Sequence, residues 1–356
     1  MKKLVLVLSS LILASCGAEN EDVDNMKQID QIFNPYNSSD MPGAALMIIQ
    51  DGETIVQKGY GIADFEQNIP VTSKTNFRLA SVTKQFTSMS ILQLIEKGQL
   101  SLATNLTDVF PDFPSYGEAI TIKHLLQHTS GLWDYEDMVP SSQTRQVKDK
   151  DVLNYMMGIE ETYFPVGDKY QYSNTAYAML TQVLEKITGM AFRDYLRVNI
   201  FEPLDMSTSL AYENGINEVP NRAFGYTIED EGILLTDQSS FSAVLGDGGI
   251  YTNLEDLFKW DQALYTEKLI SKNYLDMAFT NQKNNDGEMI DYGFGWRIEK
   301  YKEMDILYHT GSSIGFRNIL YRIPAKNFTA VILTNRDQGG EFSTLDIVHK
   351  VVDLYY

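Results

Sequence analysis

One stretch of the sequence places a charge where charge is costly. Residues 81–95 distribute apolar side chains around nearly the whole circumference of a helix, which is typical of a helix buried on every side. Lys84 is the only charged residue in this stretch. Burying an ammonium group is unfavourable unless the group is paired or takes part in chemistry. The stretch therefore predicts a core large enough to enclose a helix, and a specific task for Lys84.

Ser81 is the first candidate partner of this lysine. It precedes Lys84 by three residues, so the two side chains share one face of the predicted helix and can meet. A lysine in a dry site loses its proton more readily than in water, and a neutral amine can accept the hydroxyl proton of Ser81. At a helix N-terminus, the backbone N–H of Ser81 would also be free to bind an oxyanion. Because this spacing is common, a structural lysine that caps or pairs elsewhere is the alternative.

The N-terminal residues have the pattern of an export signal. Lys2 and Lys3 precede the apolar run 4–13, which is too short to span a bilayer. The run leads to Cys16 in a pattern that resembles the bacterial lipoprotein signal, in which the cysteine is acylated after cleavage. We therefore predict export to the periplasmic or cell-surface side of a bacterial membrane, with a lipid anchor on the cysteine. The corresponding segments are a signal peptide at 1–15 and an acidic tether at 16–24.

Composition limits the classes of protein and of partner. Cys16 is the only cysteine, so the exported domain must be held by its core without an internal disulfide. With 44% hydrophobic and 12% aromatic residues, the composition is that of a globular protein and excludes a disordered or fibrous chain. The formal charge of −19 argues against nucleic acid and anionic lipid headgroups as partners. The expected membrane contact is therefore the lipid anchor alone.

Strand patterns occur near both ends of the chain, and helix patterns occur between them. The turn pair Asp51-Gly52 separates two apolar runs and predicts a hairpin. Three further strands are predicted at 305–309, 316–323 and 328–334, and helices at 121–127, before Gly189 and from about Ser343. We predict one α+β catalytic domain at 25–356. Its mainly antiparallel sheet is assigned to 25–77 and 245–356, flanked by helices, and its helical part to 78–244.

Two more short motifs follow Ser81-Val82-Thr83-Lys84 along the chain, namely Tyr172-Ser173-Asn174 and His309-Thr310-Gly311. In this order the three motifs resemble the active-site elements of the serine β-lactamase and penicillin-binding protein superfamily. The chain is most similar to the class C branch, which includes D-alanyl-D-alanine carboxypeptidases, D-aminopeptidases and β-lactamase-like esterases. The similarity covers most of residues 40–335 and includes the stretches 59–64, 120–132, 246–260 and 292–296. It implies a β-lactamase/transpeptidase-like fold with the site in the cleft between the sheet and the helical region.

The resemblance implies a catalytic role for three residues. Ser81 is the implied acylated nucleophile and Lys84 its proton acceptor. Tyr172 is implied as the base and acid that relays the proton to the leaving group. A phenol suits this role only if a neighbouring cation lowers its pKa of about 10, and Lys84 is the expected cation.

The same resemblance implies how a substrate is held. Asn174 is expected to bind a substrate amide, and the strand with His309, Thr310 and Gly311 to align the substrate edge-on. The backbone N–H groups of Ser81 and Ser312 are the expected oxyanion hole. Many β-lactamases of the superfamily have lysine where this chain has histidine, and a histidine is largely neutral at pH 7 unless its surroundings raise its pKa. This departure favours D-amino-acid peptides or esters over a dedicated β-lactam substrate.

We therefore expect a serine hydrolase that acylates Ser81 with a D-amino-acid peptide, an ester or a β-lactam, and that requires no metal or organic cofactor. One alternative nucleophile is Ser313, because 311–315 match the G-x-S-x-G elbow of α/β-hydrolases, with Asp346 and His349 following in triad order. The alternating pattern after this motif favours a strand, whereas an elbow leads into a helix.

Two further alternatives are open. His124 and His128 lie four residues apart on a predicted helix and could suggest a zinc site, but the sequence supplies no third ligand or H-E-x-x-H glutamate. Packing or capping roles are therefore favoured for both, and a surface position for His349. The second alternative is an anchored binding protein that keeps the fold without turnover.

Overall fold

The computed structural model describes residues 24–140, 142–337 and 343–356. Residues 1–23, which include the predicted signal peptide and Cys16, lie outside the described residues. Within the described ranges, every helix is too short or too polar to cross a membrane.

A six-stranded sheet is assembled from the two ends of the chain. All five neighbouring pairs of strands are antiparallel. The two chain ends meet at the pairing of Ala44 with Thr334. The predicted α+β class and antiparallel sheet are confirmed. In spatial order the strands are Arg297–Tyr301, Met304–Ser313, Phe316–Ile323, Phe328–Thr334, Ala44–Gln50 and Glu53–Tyr60.

The hairpin at the start of the chain forms where its turn residues predict it. Asp51 and Gly52 have φ values of 52° and 81°. Positive φ at both central residues gives a type I′ turn, whose twist matches that of antiparallel strands. The local sequence is therefore sufficient to explain this connection.

Both faces of the six-stranded sheet are covered. The outer face packs against a helix at 24–32 and the C-terminal helix Thr344–Val352, and the inner face packs against the larger core. In the strand Ala44–Gln50, alternate side chains enter the two cores. Because successive side chains point to opposite faces, burial of both faces makes the strand continuously apolar instead of alternating.

The remaining helices and strands surround the inner core. The longer helices are Lys84–Glu96, Asp149–Met157, Asn174–Thr188, Leu254–Ala263 and Lys272–Ala278. The last two lie within the range assigned above to the sheet part. Shorter helices are Leu106–Val109, Ile122–Leu126, Tyr135–Met138, Phe192–Leu196, Glu202–Leu204 and Leu245–Gly248, with a π turn at Arg197–Phe201. The 3₁₀ turns are Asn34–Tyr36, Ala80–Thr83, Ser115–Glu118 and Pro324–Lys326.

Four small sheets accompany the main sheet in the described part of the chain. One of them has the strand order Phe77–Arg78, Ile250–Thr252, Leu210–Ala211. Its strand Phe77–Arg78 lies directly before the turn that carries Ser81. It connects the start of the helical part to the residues that precede Leu254–Ala263. Two of the others pair Ile62–Asp64 with Ile69–Pro70, and Gln282–Lys283 with Met289–Ile290. The last has Tyr226–Glu229 at its centre, between Arg336–Asp337 and Gly232–Leu235.

Capping residues define the helix that carries part of the site. Helix Asn174–Thr188 begins after Ser173, whose side chain accepts a hydrogen bond from the backbone N–H of Ala176 at 3.1 Å. It ends at Gly189, which has φ 68°. A left-handed residue at this position stops a helix with little strain only when it is glycine, so the predicted end is confirmed.

Candidate active site

Ser81 and Lys84 lie at the start of the buried central helix. Ser81 is in the 3₁₀ turn Ala80–Thr83, which continues directly into the α-helix Lys84–Glu96. An α-helix was expected from residue 81, whereas the tighter turn makes side chains at i and i+3 eclipse each other. Lys84 Nζ lies 3.0 Å from Ser81 Oγ, and the lysine is fully buried. The structure thus brings the predicted nucleophile and base into direct contact.

Two acceptors determine the orientation of the Lys84 amine. Nζ donates to Asn174 Oδ1 at 2.9 Å and to the backbone carbonyl of Asp247 at 2.9 Å. Both oxygens can only accept, so two N–H bonds are committed to them. The next tetrahedral position faces Ser81 and holds an N–H when the amine is charged, or the lone pair when it is neutral. Loss of one proton therefore leaves the lone pair directed at the Ser81 hydroxyl.

The surroundings of Lys84 make this proton loss accessible. Burial lowers the pKa of Lys84 from its usual 10.5 to about 8, although the negative charges of Asp247, Glu136 and Asp134 oppose the shift. Desolvation disfavours the charged form of a buried amine, and nearby carboxylates favour it. A neutral amine is therefore available at mildly alkaline pH.

Tyr172 lies beside the same amine. Its ring centroid is 4.9 Å from Lys84 Nζ and 5.6 Å from the Arg297 guanidinium. Burial raises the pKa of Tyr172, and its hydrogen bond with Ser81 and the charge of Arg297 oppose only part of that rise. The expectation that Lys84 lowers this pKa is therefore wrong. A raised pKa suits Tyr172 to donate a proton, which leaves Lys84 as the candidate base.

Asn174 forms hydrogen bonds at both ends of its side-chain amide. Oδ1 accepts from Lys84, and Nδ2 donates to Glu136 Oε1 at 3.1 Å. Because Asn174 opens the helix that Ser173 caps, its position is set by the backbone. Its binding to a substrate amide stays a prediction, whereas its contact with the lysine is direct.

The strand Met304–Ser313 approaches the Ser81 turn closely at Gly311. A Cβ on Gly311 would lie 2.1 Å from the carbonyl oxygen of Leu79 and 3.3 Å from Ala80 Cβ. Only glycine permits this approach. Thr310 lies beside it on the strand, and Ser312 lines the same cavity as Ser81. The two residues of the predicted oxyanion hole therefore border one cavity.

His309 is neutral in this site. Its Nδ1 lies 2.7 Å from the carbonyl oxygen of Thr310, and its Nε2 lies 3.0 Å from Tyr292 Oη. Since a carbonyl only accepts, Nδ1 carries the proton and Nε2 accepts from the phenol. Burial and the charge of Lys84 lower the pKa of His309 well below its usual value. The site thus has no positive charge at the position where many β-lactamases have lysine.

The alternative nucleophile Ser313 does not lie on an elbow. It ends the strand Met304–Ser313 and is followed by a two-residue turn and the strand Phe316–Ile323. His349, its proposed triad partner, packs on the outer face of the sheet, where its ring stacks on Tyr301 at 3.8 Å between centroids. The triad is therefore not assembled. The expectation of a simple surface position for His349 is also wrong.

His124 and His128 do not share a helix face. The helix Ile122–Leu126 ends before His128, which has φ 60° and accepts a hydrogen bond from the Ser173 backbone N–H at 3.1 Å. His124 lies 3.1 Å from the Thr121 hydroxyl and caps its own helix. Each histidine therefore has a capping or packing role. No group of three or more His, Cys, Asp or Glu within the described ranges could hold a metal ion.

Several site residues were not singled out from the sequence. Arg297 directly follows the stretch 292–296 and Asp247 lies within the stretch 246–260, both of which resemble the class C branch. Glu136 and Tyr135 line the cavity with Ser81, yet they belong to no motif. The stretches that resemble the family therefore pointed to the segments of Asp247 and Arg297. Because these four residues are far from Ser81 along the chain, the sequence did not show that they lie at the same site.

Comparisons with known proteins agree with this geometry. The Beta-lactamase family model matches residues 28–352. Penicillin-binding protein 4* of Bacillus subtilis (strain 168) is 30% identical over 332 residues, which cover 89% of this chain and 73% of that protein.

Solved structures give the same fold. The penicillin binding protein from Bacillus halodurans has a TM-score of 0.77 at 25% identity, with 92% of this chain and 98% of that chain covered. D-amino acid amidase from Ochrobactrum anthropi SV3, complexed with L-phenylalanine amide, has a TM-score of 0.80 at 23% identity, with 93% and 98% covered. The family match, the fold and the assembled motifs lead to one conclusion: this chain belongs to the Beta-lactamase family and is a serine hydrolase of the β-lactamase fold.

Proposed function

We propose that this protein acylates Ser81 with the carbonyl of a D-amino-acid peptide or a related amide or ester, and that water then releases the acyl group. The observation that carries the proposal is the 3.0 Å contact between Lys84 Nζ and Ser81 Oγ in a buried site. The two fixed acceptors of the amine direct its lone pair at the hydroxyl. Such an arrangement is what activation of a serine nucleophile requires.

Each step uses a group that is already in contact with the site. Neutral Lys84 takes the hydroxyl proton as Ser81 Oγ bonds to the substrate carbonyl carbon. The backbone N–H groups of Ser81 and Ser312 stabilise the oxyanion. The tetrahedral intermediate then expels the leaving amine or alcohol, which receives the proton of Tyr172, and the phenolate recovers it from the Lys84 ammonium. In the second half of the reaction water attacks the acyl-enzyme, and the same groups transfer the protons in the reverse direction. The acyl group is released and Ser81 recovers its hydroxyl proton.

Charges at the two ends of the site favour a short zwitterionic peptide. Neutral His309 offers no cation, but Arg297 stands beside Tyr172 on the neighbouring strand. Burial lowers the pKa of its guanidinium, and the surrounding phenols of Tyr170, Tyr308, Tyr292 and Tyr172 raise it. A guanidinium in this position can pair with a carboxylate on the leaving group. Glu136 and Asp247 line the cavity and favour an ammonium group on the acyl side. A D-amino-acid peptide with free termini supplies both charges. Amides of D-amino acids have the same acyl group with its free ammonium, but they lack the carboxylate.

Acyl-enzyme trapping tests this function. The purified protein is incubated with a D-Ala-D-Ala peptide, D-phenylalanine amide, p-nitrophenyl acetate or nitrocefin, quenched in acid and digested for mass spectrometry. We expect an acyl adduct on the peptide that contains Ser81, no adduct in Ser81→Ala, and an unchanged adduct in Ser313→Ala. Labelling that persists in Ser81→Ala would refute the assignment. A stable adduct without product release would identify a binding protein instead.

Removal of the Arg297 charge is expected to affect substrates selectively. For Arg297→Gln we expect kcat/KM to fall about 10- to 100-fold for a D-Ala-D-Ala peptide with a free carboxylate, because a charge-assisted hydrogen bond is lost. The C-terminal amide of the same peptide should be affected much less. Lys300→Gln, an exposed lysine of the same strand, is the matched control. Equal losses for acid and amide would contradict carboxylate recognition.

We also propose that the chain is exported and anchored through acylated Cys16. The charged, apolar and cysteine-containing pattern of residues 1–16 supports this proposal. Mass spectrometry of the N-terminus of the mature protein tests it, since an unmodified Met1 would exclude processing.

A further inference from the structure

A buried carboxylate lies next to the catalytic amine. Asp247 is 7% exposed, belongs to the short helix Leu245–Gly248 and lines the cavity of Ser81. Its backbone carbonyl accepts the hydrogen bond of Lys84, and its side-chain Oδ2 accepts from Tyr135 Oη at 2.9 Å. Asp247 therefore binds the amine through its backbone and places a negative side chain near it.

The buried carboxyl group of Asp149 holds the turn that carries Asp247. Asp149 accepts hydrogen bonds from the backbone N–H groups of Leu245 at 2.8 Å and Gly246 at 3.0 Å. On the other side, a Cβ at Gly246 would lie 1.9 Å from Thr181 Oγ1, so this turn packs directly on the helix Asn174–Thr188. The Asp247 carbonyl is therefore held in place relative to Asn174, the other acceptor of Lys84.

We propose that Asp247 is a positioning residue for Lys84, with Tyr135 and Asp149 as its supports. The backbone carbonyl orients the amine, and the carboxylate stabilises its ammonium form. Asp247 thereby sets the pH at which the amine becomes neutral and able to accept the Ser81 proton. This inference rests on the proposed acyl-enzyme function of Ser81.

The other groups around Lys84 do not replace this carboxylate. Among the charges that act on the lysine, Asp247 raises its pKa most, followed by Glu136 and Asp134, whereas Arg297 lowers it. Burial raises the pKa of Asp247, but the charge of Lys84, the hydrogen bond from Tyr135 and the charge of Arg78 oppose that rise. Other titratable neighbours of Lys84 are the phenols of Tyr172 and Tyr177 and the imidazoles of His128 and His309, and burial and the charge of Lys84 lower the pKa values of both imidazoles. Behind the Asp247 turn, burial raises the pKa of Asp149 to about 8, although its hydrogen bonds with the backbone N–H groups of Leu245 and Gly246 oppose the rise.

The sign of the effect follows from these charges. A carboxylate that favours the ammonium form raises the pKa of the amine, so its removal lowers that pKa. The fraction of neutral Lys84 then increases at lower pH. The acid limb of the activity profile is the pH range in which activity rises as Lys84 loses its proton. This limb must therefore move to lower pH when the charge of Asp247 is removed.

The decisive variant is Asp247→Asn, which preserves the backbone carbonyl, the side-chain volume and an acceptor for Tyr135. Profiles of kcat/KM against pH are measured with p-nitrophenyl acetate, because this substrate has no ionisable group. We expect the acid limb to shift down by about one pH unit, so that the active fraction below the limb rises about tenfold. Asp256→Asn is the matched control, since Asp256 is a buried carboxylate that bonds Ser209 and Thr208. Its acid limb should stay in place.

A second variant keeps the proposal testable if the first does not fold. Tyr135→Phe removes the hydrogen bond that favours ionised Asp247, so the limb should move in the same direction by a smaller amount. An unmoved limb in folded Asp247→Asn, or in Tyr135→Phe when only that variant folds, overturns the inference. If Ser81→Ala keeps the esterase activity, the proposed function itself fails. If Ser81→Ala is inactive and the limb does not move, only the role of Asp247 fails.

Discussion

A Lys84→Met variant is expected to fold and to lose about 10²- to 10⁴-fold in kcat/KM for p-nitrophenyl acetate, the usual contribution of a positioned base. Methionine keeps approximately the length of the side chain but has no lone pair on nitrogen to accept the Ser81 proton. The buried ammonium is costly in itself, so its removal offsets the hydrogen bonds lost at Asn174 and Asp247. We therefore expect a large loss in kcat/KM and only a small change in the free energy of unfolding.

The pH dependence separates loss of a base from general damage. In the proposed mechanism the neutral amine is the active form, and burial lowers the pKa of Lys84 to about 8, so wild-type activity should rise with pH through this value. Lys84→Met should lack that limb. Lys97→Met, an exposed lysine at the end of the same helix, is the control and should keep both rate and limb. A wild-type profile that is flat from pH 6 to pH 10 would contradict the role of the amine as a base.

Gly311→Ala is expected to reduce kcat by about 10²- to 10³-fold, the effect of losing one donor of an oxyanion hole. The new methyl group would lie 2.1 Å from the Leu79 carbonyl oxygen, far inside van der Waals contact. The strand Met304–Ser313 must therefore move away from the Ser81 turn. That movement separates the N–H of Ser312 from the N–H of Ser81 and leaves the transition-state oxygen with one donor.

Two measurements distinguish this mechanism from simple misfolding. Thermal unfolding should show a folded Gly311→Ala protein with a lowered midpoint, because overpacking is destabilising. Acylation of Ser81 by p-nitrophenyl acetate should become slow while the pH at the acid limb stays unchanged, since Lys84 keeps its partners. Gly158→Ala is the control, because a Cβ there approaches no atom closer than 3.3 Å. Retention of full activity in Gly311→Ala would exclude the proposed oxyanion geometry.

Much of the fold could be predicted because it depends on local patterns. Positive φ at Asp51 and Gly52 closes the first hairpin, and Gly189 ends the helix that Ser173 caps. The apolar circumference of 81–95 predicted a helix buried on all sides, and the structure confirms burial from Lys84 to Leu94. The 3₁₀ turn before this helix was missed, because periodicity over a few residues does not distinguish 3.0 from 3.6 residues per turn.

The site was predictable only in part. Ser81, Lys84, Tyr172 and Asn174 come together as expected, but the partner that completes the orientation of the amine, Asp247, was not foreseen. The wrong expectation for the pKa of Tyr172 has the same origin. A neighbouring cation can be inferred from a motif, whereas the desolvation that outweighs it depends on every residue packed around the phenol.

By itself the sequence determined five strands of the main sheet, the turn of the first hairpin, the buried helix and the spacing of Ser81 and Lys84, because each depends on residues within a few positions of one another. Only the tertiary structure decided which way the lone pair of Lys84 points. Its two acceptors lie 90 and 163 residues away along the chain. Hydrogen-bond direction and desolvation depend on distances in space that sequence separation does not specify, and in this site they lower the pKa of a buried amine and direct its lone pair at Ser81.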